Sequence, residues 1–130
     1  MGEMVSFASN GHDARGHLAI PDSGSGPGLM GIQEWWGLNP QMKGVADYLA
    51  DQGFVALAPD LYHGELAGHD EMDKAGQLMT DLPADRAARD MSGAVDYLLD
   101  HSSCTGDGVG VVGFCMGGLL SFMIAANLSL

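Results

Sequence analysis

The chain has 130 residues, 46% of them hydrophobic, and seventeen acidic groups against five Lys and Arg give a formal charge of −12. That length holds one domain with a core of its own, and the composition excludes a disordered segment. The charge balance excludes nucleic acid and an anionic membrane surface as partners held by bulk charge. Thirteen of the acids are Asp, spread along the whole chain, which reads as a solvated acidic surface. Two cysteines, Cys104 and Cys115, do not make a disulfide framework. The opening "MGEMVSFASNGHDARG" has neither the basic start nor the apolar run of a secretory signal, so a reducing, cytoplasmic setting is expected.

Val5 to Ala8 and Gly16 to Ile20 are strand-like runs, and Asn10-Gly11 between them is a hairpin signal. After the turn-rich "PDSGSGPG" at 21–28, "GLMGIQ" at 28–33 reads as a buried strand ending at Glu34. Met42, Val45, Ala46 and Leu49 recur at helical spacing, with Gly53 where a helix stop belongs. "FVALAPD" at 54–60 is a second apolar strand. Ala75, Leu78, Met79 and Leu82 predict a helix from Met72. Ala87, Met91, Ala94, Val95 and Leu98 predict a longer one begun near Asp81 and Pro83. After "TGDG" come a strand over Val109 to Phe114, a turn at Cys115 and a last apolar helix. Residues 108–130 carry no charge, long enough to raise a membrane span, but five glycines in the first eleven positions argue against one. Strands alternating with helices predict one α/β domain, a mostly parallel sheet covered on both faces.

Gly108, Gly110 and Gly113 match G-x-G-x-x-G, but they precede the strand's end instead of opening the helix, so dinucleotide binding does not follow. "GFCMGG" lacks the Lys of a phosphate-binding loop. Gly113-Phe114-Cys115-Met116-Gly117 instead fits G-x-nucleophile-x-G. In such an elbow the glycines remove clashing Cβ atoms, and the turn projects the nucleophile above the sheet. The amide after the nucleophile, here that of Met116, then faces a forming oxyanion at a helix N-terminus. The alternative is a small buried cysteine in an ordinary strand-to-helix turn.

With "GIQEWWGLN" at 31–39, "VADYLADQGFVALAPDLYHG" at 45–64 and "VGVVGFCMGG" at 109–118, the sequence resembles the dienelactone hydrolase family of the α/β-hydrolase fold. The resemblance implies hydrolysis of a small-molecule ester or lactone, with no cofactor and no metal. It maps the nucleophile onto Cys115, the carboxylate that helps the thiol ionise onto Glu34, and the oxyanion amides onto Trp35 and Met116. Independently, a carboxylate ending a buried strand before two tryptophans is an unusual surface acid, and desolvation favours the neutral form of such a group. A structural carboxylate bonded to a neighbouring loop is the competing reading.

The family's triad also needs an Asp and a His, and the resemblance assigns neither to any of the 130 residues. The chain matches the N-terminal portion of the family and stops fifteen residues after Cys115, as a truncated product does. Among the histidines only His63, just after "APDLY", is expected on the same rim as Glu34 and Cys115. His12, His17, His69 and His101 show no partner pattern, and no pair has zinc-ligand spacing. Cys104 reads as an inert loop thiol, and Arg86 and Arg89 as solvent-facing. Without a further strand beside it, Val109 to Phe114 is an apolar sheet edge that invites self-association. A catalytically incomplete half that needs a complementary chain is therefore the alternative to a working hydrolase.

Overall fold

The computed structural model describes residues 2–114 together with Leu120 and Ile124. Cys115 and Met116 lie outside the described residues, as does most of the helix expected after them.

Strands β1 (Glu3–Ala8) and β2 (Asp13–Ala19) form the predicted hairpin. Asn10 and Gly11 take φ of 38° and 105°, the left-handed pair that a tight hairpin turn requires. Strand β3 (Gly26–Ile32) leads to helix α1 (Pro40–Asp51). That helix starts where Asn39 Oδ1 accepts the Met42 amide at 3.0 Å with Pro40 in the first turn. It stops before Gly53, whose φ of 102° few other residues adopt. Strand β4 (Val55–Pro59), helices α2 (Met72–Asp81) and α3 (Ala84–Asp100), and strand β5 (Cys104–Gly113) complete the order.

The sheet runs β1-β2-β4-β3-β5. Its β4–β3 and β3–β5 pairs are parallel, while β2 meets both β1 and β4 antiparallel. The sheet is therefore mixed: a parallel set β4-β3-β5 of the expected kind, with the predicted opening hairpin adding its two strands to one side. Alternation along β4 sorts the core into two layers. Val55 and Leu57 face α3 with Met30, Ile32, Met91, Ala94 and Leu98, whereas Ala56 and Ala58 face α1 with Met42 and Ala46. Helices thus cover both faces, as expected. All five residues of the predicted α3 stripe are buried.

Helix α2 starts at Met72 as predicted, and the start of β5 needs correction. Helix α2 buries only Ala75, and Met72 and Met79 of its apolar face are exposed, because the helix lies outside the layers that flank the sheet. Strand β5 begins at Cys104 and not at Val109. "TGDG" is taken up by a register shift opposite Pro27 and Gly28 instead of forming a separate turn. Among the described residues no helix is long and apolar enough to cross a membrane.

Candidate active site

The three parallel strands end on one edge of the sheet, and the chain leaves them through loops that carry most of the chemistry-bearing side chains. Beyond Ile32 the segment Gln33–Gly37 folds tightly back, with the Gly37 amide donating to the Glu34 carbonyl at 3.1 Å. Gly37 has φ of 98°, and a Cβ there would stand 2.7 Å from the Glu65 carbonyl oxygen, so only glycine fits. Gln33 is fully buried and accepts the Leu61 amide on Oε1 at 2.8 Å, locking the turn after β3 to the loop after β4. The turn is held from outside as well, since the Trp36 carbonyl accepts the Ala67 amide at 3.0 Å.

Glu34 therefore stands on a braced turn after a strand whose last three residues are buried, and is itself half-buried. Trp35 and Trp36 are half-buried too and meet edge to face at 5.1 Å. Trp36 repeats that geometry with His69 at 4.8 Å, so a histidine read as partnerless belongs to an aromatic ladder. Beside this turn runs β5, its Gly113 opposite Ile32 in parallel register.

His63 follows β4 with φ of 52°, a left-handed conformation that histidine tolerates better than most side chains. Its Nε2 donates to Asp90 Oδ2 at 2.6 Å. Asp90 has no exposed surface, and its other oxygen accepts Ser9 Oγ at 2.5 Å and lies 3.4 Å from His12 Nε2. His63 is thus on the expected edge and engaged with α3. Strand β4 stands two places from β5, a lateral distance of roughly 10 Å. His17, also read as partnerless, lies 2.8 Å from Asp47.

Arg86 corrects another expectation. It is half-buried, and its Nη2 donates to the Leu61 carbonyl at 3.1 Å, because α3 crosses behind the loop after β4. Arg89 pairs with Asp85 one turn back at 3.0 Å. Asp60 joins the same edge, its Oδ2 accepting the Gly64 amide at 2.7 Å. Oδ1 is buried with no hydrogen-bond partner among the described residues. Burial pushes the Asp60 carboxyl above its ordinary value, a rise opposed by the Gly64 amide and the nearby His63. Asp60 and His63 line a cavity of about 190 Å³ with Asp13, Ala14, Arg15 and Gly64. Sequence reasoning missed Ser9, His12, Gln33, Asp60, Arg86 and Asp90; only the polar residues bounding strand ends could have signalled some of them.

Known proteins are similar to this chain in sequence and in framework. The chain is 44% identical to Protein usf of Aquifex pyrophilus, over 98% of this chain and 56% of that protein. It is 40% identical to the carboxymethylenebutenolidase of Pseudomonas sp. strain P51, over 85% of this chain and 49% of that one. The solved structure named m3DLH superposes with a TM-score of 0.82 at 28% identity, covering 98% of this chain and 54% of its own. The chain spans about half the length of these relatives. The sequence profile described as the dienelactone hydrolase family matches residues 14–130, which leaves out the first strand of the α/β-hydrolase sheet, the turn after it and Asp13. A likeness that runs through sequence and framework together means that this chain belongs to the dienelactone hydrolase family.

Proposed function

We propose that the chain carries the acylating half of a cysteine hydrolase that opens a small-molecule ester or lactone. Cys115 attacks the carbonyl carbon as Glu34 takes up the thiol proton, and the amides of Trp35 and Met116 receive the negative charge on the carbonyl oxygen. The carbonyl reforms as the C–O bond breaks, and the leaving alkoxide takes the proton from Glu34. The single observation behind this reading is the parallel register of Ile32 with Gly113. Glu34 stands two residues beyond Ile32 and Phe114 one residue beyond Gly113, so the chain leading to Cys115 leaves the sheet on the same edge as that carboxylate. The family membership and the name of the Pseudomonas relative, carboxymethylenebutenolidase, support a lactone as the substrate class. Release of the acyl group needs a base that activates water, and no histidine of this chain is assigned to that step. His63 is committed to Asp90.

The chain should therefore form an acyl-enzyme and turn over slowly. Incubation with an activated ester or an alkylating probe, followed by peptide mass mapping, tests this. Label is expected on Cys115, lost in Cys115→Ala and kept in Cys104→Ser. Glu34→Gln should slow labelling by about tenfold, the equivalent of one unit in the thiol's ionisation. Label that persists in Cys115→Ala would remove the nucleophile assignment. A normal rate in Glu34→Gln would remove the carboxylate from the reaction.

A further inference from the structure

A carboxylate without exposed surface needs partners, and those of Asp90 come from segments far apart in the chain. Ser9 and His12 flank the turn between β1 and β2, His63 lies beyond β4, and Asp90 sits in the second turn of α3. One ligand atom from each of His12, His63 and Asp90 lies within 4.8 Å of the other two. The carboxylate is fully buried, while the His12 and His63 side chains stay 36% and 31% exposed. None of these residues has a part in the ester-cleaving reading.

We infer that His12, His63 and Asp90 form a binding site for a divalent first-row metal ion, with Zn²⁺ the best match to the donor set. Two imidazoles and one carboxylate are the donors that Zn²⁺ accepts, and the exposed side of the two rings leaves a fourth position for water. Tetrahedral bonds of roughly 2.0–2.2 Å hold neighbouring donors about 3.3 Å apart. His12 Nε2 and Asp90 Oδ1 already stand 3.4 Å apart. The 2.6 Å between His63 Nε2 and Asp90 Oδ2 is a hydrogen bond, so the metal displaces that proton to solvent and the pair opens by roughly 0.7 Å. Ser9 Oγ donates to Asp90 Oδ1, the oxygen nearer His12, and so fixes the orientation of the carboxylate, the usual second support of a metal ligand. The cavity beside His63 carries Asp13 and Asp60 against Arg15, so the neighbouring side chains carry a net negative charge when both acids are ionised. Asp60 adds an oxygen without a hydrogen-bond partner among the described residues.

The test uses the 130-residue chain, stripped with a chelator and titrated with Co²⁺ as the spectroscopic substitute for Zn²⁺. One ion per chain is expected, with the visible bands of a four-coordinate site. The near-ultraviolet band of a cobalt thiolate should be absent, which separates this site from Cys104 and Cys115. His12→Ala and His63→Ala should each weaken binding by roughly ten- to a hundredfold, and His17→Ala should leave it unchanged. Zn²⁺ should raise the unfolding midpoint of the parent chain and not that of His12→Ala. His12→Gln, at the exposed turn, stands in if His63→Ala fails to fold. No binding, a thiolate band, or full affinity in either His12 variant would overturn the assignment.

Discussion

A carboxylate buried as completely as that of Asp90 is tolerated only where donors surround it, because water is no longer there to solvate it. Ser9 Oγ makes the shortest of these contacts, so its loss should register in stability. Ser9→Ala is expected to cost about 2 kcal/mol, the usual value of a hydrogen bond to a charged group, read from the midpoint of urea unfolding. An unchanged midpoint would mean that the two histidines satisfy Asp90 without it. Nothing local marked Asp90 for this position. Its bonded partners lie 81 and 27 residues away, and its own neighbourhood reads as one face of an amphipathic helix. Glu34 was legible for the opposite reason, since it closes an apolar run and precedes two tryptophans, a contrast visible within four residues.

At the scale of elements, α3 lies close against β1, and Gly93 is what lets it do so. A Cβ on Gly93 would run into the Ala8 carbonyl oxygen and come within 3.3 Å of the Phe7 ring. Two effects oppose each other in Gly93→Ala. Alanine favours the helix by about 1 kcal/mol over glycine, and forcing an extra carbon into a packed contact costs about 1–3 kcal/mol. The obstacle is backbone and cannot rotate away, so a net loss of roughly 1 kcal/mol is expected in thermal or urea unfolding. A stabilised variant would show that α3 stands further from the sheet than this packing requires. The same helix illustrates which elements spacing reveals. The α3 stripe points at the sheet along its whole length, so its period and its burial agree, whereas α2 has the period without a surface to bury it.

For the whole molecule the order β1-β2-β4-β3-β5 leaves β5 as an outer strand among the described residues. Its last stretch, Val109 to Gly113, is free of charge, and the exposed Phe114 and Tyr48 border an apolar groove between it and α1. Edges of this kind pair with other chains unless a charge or a neighbouring element blocks them. Sedimentation of the 130-residue chain is expected to show species larger than a monomer that grow with concentration. A monomer with sharp, concentration-independent unfolding would contradict that.

The sequence by itself determined the α/β class, the order of the strands and helices, and the turn chemistry at Asn10-Gly11 and Gly53. These features are written in periods of two and 3.6 residues and in single turn residues, so a short window contains each of them. It also carried the likeness of "QEWWG" and "GFCMGG" to the dienelactone hydrolase family. Only the tertiary structure decided that the opening hairpin joins beside β4 to make a mixed sheet, that β5 pairs with β3 next to Glu34, and that Ser9, His12 and His63 converge on Asp90. Those outcomes depend on which distant segments become neighbours. That is settled by burying both faces of one sheet at once, a condition no stretch of chain shorter than the domain contains.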